Sequence, residues 1–326
     1  METPTVPSTP VLQDTGTSRR TQVIAAGGIV LLIVIIAAGY YFLHGKNGGF
    51  AGSTPAFAVS VGPAPASPLY VIDKESGNLK PLTVTVKGMA LPALDAVKAA
   101  DGSWYYILAE HSSTPVGNLY VQKPDGTVTA LTTSKTAKYN LSYDAQSGRL
   151  AYQAIVYKND LDFFTNQQWD LMVYDSSTQK ETMVGKGANP HFLNGGQALI
   201  YRDDGKLAVE VLGTHATSTI TNLPKGNPVY AINANSTSLS MYNPVSHEID
   251  LFAITKSTTL NYISSSKVSI PPVSVGYVGD ALVAAYASKT ASSTYYAFSR
   301  PDLSGLNAIT IPGLAGQVPQ RLYIYE

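Results

Sequence analysis

The chain has no cysteine among its 326 residues, which excludes disulfides, thiolate chemistry and cysteine-ligated zinc. That absence is compatible with either redox compartment. Charge is scarce too: 13% of residues are Asp, Glu, Lys or Arg, and 22 of each sign cancel to a net charge of zero. A neutral chain makes no electrostatic case for a nucleic-acid partner, because holding phosphates takes clustered Lys and Arg. The short catalytic and nucleotide motifs are missing as well. There is no His-Glu-x-x-His, Walker loop, Gly-x-Gly-x-x-Gly or Gly-x-Ser-x-Gly. After Leu43 no segment shows a convincing helical period; Pro92 to Lys98 comes nearest and is too short.

What is present begins with one long uncharged run, Val23 to Leu43. About 20 apolar residues rising 1.5 Å each match a hydrocarbon core of about 30 Å. Arg19 and Arg20 precede the run, while only His44 and Lys46 follow closely. The positive-inside bias therefore places residues 1–20 in the cytoplasm and the remainder outside, with Tyr40, Tyr41 and Phe42 at the outer interface. A cleaved signal peptide would have a shorter apolar core with a small-residue site close behind, whereas Ala56-Phe57-Ala58 lies well beyond it. A buried core helix would not have such polar, Pro- and Gly-rich flanks. The expected organisation is a disordered cytoplasmic tail over 1–20, a transmembrane helix over 21–43, a flexible linker over 44–67 and a β domain over 68–326. Within the linker only Ala56 to Val61 has the makings of a short strand.

The β domain is announced by a recurring strand-turn-strand unit, clearest from Asn118 to Thr132 around the Pro124-Asp125-Gly126 turn. Weaker copies start at Leu69, Leu171, Leu207, Asp250 and Tyr295. Their spacing is that of a four-stranded propeller blade, roughly 40 to 50 residues. A unit of this kind cannot bury its apolar face alone, so repetition implies an array. Five complete blades fit between Gly88 and Ile311. Two strands remain at each end, Leu69 to Asp73 with Leu79 to Val86 and Gly316 to Pro319 with Arg321 to Tyr325. Joined, they make a sixth blade and leave no exposed edge in the ring. The expected fold is all-β, a six-bladed β-propeller closed by N- and C-terminal strands and preceded by one transmembrane helix. Strands every 8 to 12 residues also suit a two-sheet sandwich or two small β domains.

At Asn118 to Thr132 and onward to Ser142-Tyr143-Asp144 and Gly148-Arg149-Leu150-Ala151-Tyr152, the order of residues resembles the repeat of TolB-type, WD-like β-propellers. Where that family reads Ser-Pro-Asp-Gly, this chain has Asp144-Ala145-Gln146-Ser147-Gly148. Other copies, such as Asn194-Gly195-Gly196 and Asp203-Asp204-Gly205, are more degenerate. The resemblance spans residues 68–326 and implies protein interaction, since TolB-type propellers serve as envelope scaffolds. Related propellers gate peptidases, but they carry an α/β-hydrolase domain that this chain has no room for.

No catalytic, cofactor-binding or metal-ligating set is expected. The histidines at 44, 111, 191, 215 and 247 lack ligand spacing, and His247-Glu248 lacks the second histidine of a zinc motif. Asp160 and Asp162 faintly resemble a calcium loop, but Phe163 and Phe164 replace the Gly it needs. The insertion Lys158 to Trp169 brings Phe163, Phe164 and Trp169 together beside Asn166, Gln167 and Gln168. These aromatics either cap the channel or pack on a neighbouring blade, or else form a partner-contact patch. Glu110, Arg202, Asp203 and Asp204 are candidates for the mouth of a central channel, or are solvated turns. The function expected is a membrane-anchored, extracytoplasmic, non-enzymatic protein-binding or scaffold module of the cell envelope. It would have an envelope protein partner and would hold the membrane through Val23 to Leu43. The alternative is a propeller enzyme or glycan-binding protein with its site in the channel.

Overall fold

The computed structural model describes residues 57–61, 68–72, 79–110, 115–158, 169–193, 195–220, 223, 229–233, 235–255, 260–268, 271–278, 281–287, 294–299, 307–310 and 319–324. Met1–Gly49 and Phe50–Glu326 separate as two units, and the described residues all belong to the second. The run Val23 to Leu43 lies outside them. Among the described residues no helix is long and apolar enough to cross a membrane.

The first strands are β1 (Phe57–Val61), β2 (Leu69–Ile72) and β3 (Leu79–Pro81). A five-stranded sheet follows in chain order: β4 (Thr83–Val86), β5 (Met89–Lys98), β6 (Trp104–Ala109), β7 (Gly117–Gln122) and β8 (Val128–Ala130). The next sheet takes β9 (Ala137–Asp144), β10 (Arg149–Ile155), β11 (Asp170–Asp175) and β12 (Lys180–Lys186). The third takes β13 (Ala188–Leu193), β14 (Ala198–Asp203), β15 (Lys206–Val211) and β16 (Ala216–Thr219). The fourth takes β17 (Tyr230–Ile232), β18 (Ser238–Asn243), β19 (Glu248–Ile254) and β20 (Leu260–Lys267). The fifth takes β21 (Pro272–Val278), β22 (Ala281–Ala287), β23 (Thr294–Ser299) and β24 (Asn307–Thr310). Last comes β25 (Pro319–Ile324), which pairs with β1 in a sheet of order β25-β1-β2-β3. Neighbouring strands pair antiparallel, as short hairpin connections require.

Where strands were expected from the repeats, the five internal sheets have them. The ends differ in two ways. First, the two N-terminal and two C-terminal strands are in fact three and one, because β1, from the stretch read as linker, lies between β25 and β2. Of the expected strand Gly316 to Pro319, residues 316–318 lie outside the described set, and Pro319 opens β25. Second, Leu79 to Val86 is not one strand. The chain changes sheets at Leu82, whose N–H donates to the Leu69 carbonyl at 2.7 Å while its own carbonyl accepts from the Ala93 N–H at 2.9 Å. One residue thus finishes β3 in one sheet and starts β4 in the next. The β4–β5 hairpin turns at Lys87 and Gly88, both at positive φ (49° and 81°), the backbone a tight right-twisted hairpin demands.

The sheets pack face on face. Leu94, Ile107 and Leu119 of the first meet Leu150, Tyr152 and Tyr174 of the second. Ala151, Leu171 and Val173 of the second meet Phe192, Leu199 and Tyr201 of the third. Leu193, Ile200 and Val209 of the third meet Leu239, Met241 and Phe252 of the fourth. Tyr242, Ile249 and Leu251 of the fourth meet Val275, Leu282 and Ala284 of the fifth. Leu69 of the terminal sheet is buried with Val84, Ala93 and Trp104 of the first. Strands buried on both faces read as near-continuous apolar runs, which is why Leu119-Tyr120-Val121 and Leu171-Met172-Val173 repeat as they do. Each fully buried Leu or Ile contributes about 1.5–3 kcal/mol. One strand of each sheet also lies beside one of a neighbouring sheet: β5 by β9, β9 by β13, β17 by β21, and β21 by β25.

Candidate functional site

A polar seam runs along these innermost strands. Four of them carry a β-bulge: the register slips between Ala93 and Asp95 in β5, opposite Ala151 to Gln153 in β9, between Ala188 and His191 in β13, and between Pro272 and Ser274 in β21. A bulge sets two residues against one and re-aims their backbone and side chains. Two of the bulge residues, Asn140 (φ 60°) and Asn189 (φ 55°), take the left-handed conformation that Asn tolerates better than most.

The re-aimed groups cross from sheet to sheet. Asp95, fully buried, accepts the Ala96 N–H on Oδ1 at 2.9 Å and the Leu141 N–H of the next sheet on Oδ2 at 3.0 Å. Gln153 Oε1 accepts from Asn140 Nδ2 and, at 2.8 Å, from the Asn189 N–H one sheet further on. The Tyr230 hydroxyl donates back to the Asn189 carbonyl, and Ser236 Oγ donates to the Phe192 carbonyl at 3.1 Å. The His191 ring stands edge-on to Tyr230, with centroids 5.4 Å apart. Carboxylate, amides and phenol are thus engaged in holding one sheet to the next. Among the described residues no three His, Asp or Glu side chains converge in metal-ligand fashion.

A second polar knot sits at the start of β9. Lys138 is fully buried, and its Nζ donates to the Gly117 carbonyl (2.8 Å), Thr136 Oγ1 (2.9 Å) and the Ser134 carbonyl (3.3 Å). Beside it Thr132 Oγ1 donates to Asn118 Oδ1 at 3.1 Å, and Asn118 Nδ2 donates to Glu110. Burial lowers the Lys138 pKa to about 8, against the weaker upward pull of the Glu181 and Glu110 carboxylates. Burial also raises the Tyr152 pKa far above its ordinary value, reinforced by its hydroxyl's bond to Glu181.

Of the residues singled out in the sequence, Trp169 is 8% exposed and packs with Ala137, Tyr139, Ile155 and Tyr157; its ring is edge-on to Tyr139 at 6.1 Å. Phe163 and Phe164 lie outside the described residues, as do Asp160, Asp162, His44 and His111. Asp203 at the end of β14 and Asp204 in the turn to β15 are exposed, and Glu110 faces Asn118. His215 Nδ1 is 3.0 Å from Glu210 Oε1, and His247 Nδ1 is 3.2 Å from the Tyr242 hydroxyl. Sequence reading did not find the seam. Its faint signals were a lone carboxylate inside the apolar run Leu94 to Val97, and Asn at the start of otherwise regular strands.

Successive antiparallel sheets stacked face to face, with one strand of each beside one of a neighbouring sheet, define a β-propeller-like, all-β protein. Solved structures agree. TolB from Acinetobacter baumannii superposes with a TM-score of 0.56 at 17% identity, covering 87% of this chain and 70% of that one. At that identity the likeness shows the fold alone. A chain of a nidogen/laminin complex matches at 11% identity (82% and 96% of the two chains, TM-score 0.49). An oligogalacturonate lyase in complex with manganese matches at 10% (71% and 67%, TM-score 0.46). With TM-scores under 0.5, these two bear on nothing that follows. No family model matches the chain, and no curated protein does.

Proposed function

We propose that the chain is a single-pass membrane protein carrying a six-bladed, closed β-propeller outside the cytoplasmic membrane, where it works as a non-enzymatic protein-binding module of the cell envelope. The observation that carries this reading is the seam: polar side chains on the innermost strands, and Gln153 on β10 beside them, bind neighbouring sheets, which makes the centre a structural joint. The TolB-like fold and the Arg19-Arg20 flank of an uncharged run of membrane-spanning length point the same way. Crosslinking of intact cells followed by mass spectrometry tests it. One reproducible envelope partner is the expected result, while turnover of a glycan panel without a partner overturns it. A reporter fused to the C-terminus is expected to be silent in the cytoplasm, and a cytoplasmic signal overturns the topology.

Ring closure rests on the pairing of β1 with β25. A chain beginning at Pro68 is therefore expected to lose cooperative thermal unfolding, because β25 is left without its partner and two sheet edges open. One beginning at Phe50 keeps it. Equal melting of the two chains would show that β1 is dispensable.

The partner-contact residues proposed are Phe163 and Phe164, carried on an insertion whose stem Trp169 anchors. Replacing both by Ala is expected to weaken partner capture tenfold or more, an interface hot-spot loss of about 1.4 kcal/mol upward, with little change in melting. Trp169→Ala is expected to do the reverse, costing about 3 kcal/mol of stability as buried aromatics do. Lower stability with intact capture in the double variant would move the contact elsewhere.

A further inference from the structure

Lys138 sits between two chain segments, the one that enters β7 and the one that flanks the insertion after β10. On one side, Val116 and Ala137 form an isolated antiparallel bridge, the Gly117 N–H donates to the Thr136 carbonyl at 3.2 Å, and the Glu110 N–H donates to the Val116 carbonyl at 3.0 Å. This ties the segment after β6 to the entry of β9. On the other side, Ala137 and Tyr139 pack against Trp169 and Tyr157, the two ends of the insertion after β10. The Lys138 amine fastens the middle by binding Gly117, Ser134 and Thr136 at once.

We propose that Lys138 is a proton-operated latch that couples these two segments, so that one buried amine sets how firmly both are held against β9. Three acceptors satisfy the charged amine, yet a charge so deeply buried is held at a cost relative to water. When it is discharged, Thr136 permits the knot to persist: the amine keeps two donors for the Gly117 and Ser134 carbonyls, and the Thr136 hydroxyl turns to donate to the nitrogen lone pair. The charged groups facing it are Glu110, at the end of β6, and Glu181, on β12. The second is engaged by the Tyr152 hydroxyl and the first by Asn118.

The direction follows from linkage. An exposed lysine titrates near its ordinary 10.5, and this buried one near 8. Below pH 8 both the open and the closed knot carry the proton, and opening relieves the buried charge. As pH rises from 8 toward 10.5 the closed state discharges first, so opening becomes harder by up to tenfold per pH unit. The latch therefore tightens with rising pH.

The test uses the full chain in mild detergent, with lysine labelled at Cε and with 5-fluorotryptophan at Trp104 and Trp169. One lysine is expected to titrate near pH 8, and the Trp169 fluorine signal to shift with the same midpoint while Trp104 stays still. Trp104→Phe assigns the two signals. Lys138→Met removes both changes; should it not fold, Thr136→Val, which deletes one hydrogen-bond partner of the amine, moves the midpoint of both signals together. Titration of every lysine above pH 10 overturns the proposal. So does a lysine titrating near 8 with Trp169 unmoved.

Discussion

Asp95→Ala is expected to lower the unfolding free energy by about 3 kcal/mol, read as a fall in the denaturant midpoint at unchanged slope. The residue is fully buried on the innermost strand of the first sheet, and its two oxygens accept backbone N–H groups of Ala96 and, across the sheet boundary, Leu141. Truncation leaves both donors in an apolar interior, where an unmade bond costs about 1–3 kcal/mol each. Asp95→Asn keeps one acceptor oxygen but sets an amide N–H₂ against the other N–H, and is expected to lose about half as much. If Ala and Asn variants are equally mild, below about 1 kcal/mol, the seam does not hold the sheets together.

Gly187→Ala is expected to be at least as damaging, about 3–4 kcal/mol, or to abolish soluble expression. Gly187 joins β12 to β13 at φ 153°, and its N–H donates to the Trp169 carbonyl at 2.8 Å. A Cβ there would lie 2.5 Å from Tyr201 Cδ2 and 2.8 Å from the Arg202 carbonyl oxygen. One obstacle is a buried ring and the other is backbone, so neither yields cheaply. Gly126 is the control, because it has a positive φ of 86° with nothing within 4 Å of a Cβ. Gly126→Ala should cost only about 1–2 kcal/mol, the conformational part alone. Thermal melting of both separates steric from backbone strain, and equal losses would mean the Tyr201 contact is unimportant.

Much of the fold was legible because burial of a strand between two sheets leaves a local signature. Leu119 to Gln122, Asp170 to Asp175 and Lys206 to Val211 each carry apolar residues on both faces and end at turn residues, so their identity as strands needs no distant information. The terminal sheet was misread where that signature fails. Phe57 to Val61 is legible as a short strand, but it sits among Pro, Gly and Ala like part of a tether, and its place between β2 and β25 depends on the far end of the chain. Leu82 likewise looks like the middle of one strand until two different sheets claim its N–H and its carbonyl.

The candidate site was less legible for the same reason carried further. From its insertion alone Trp169 could be packed or part of a contact patch, and Ala137 and Tyr139 of its own sheet make it a buried anchor. Lys138 carries no signal in the sequence that sets it apart from the other lysines. Its burial and its three acceptors come from Gly117, Ser134 and Thr136, which no spacing rule brings to it.

By itself, the sequence determined the all-β class, the recurrence of four-stranded units, the charge balance and the absence of thiol chemistry. These depend on composition and on side chains alternating every second residue, which are local properties. Only the tertiary structure decided which strands complete the terminal sheet, where Asp95, Gln153 and Asn189 reach, and that Lys138 lies inside. Those outcomes hang on bulges and sheet-to-sheet packing between residues far apart in the chain, where a single register slip changes every partner.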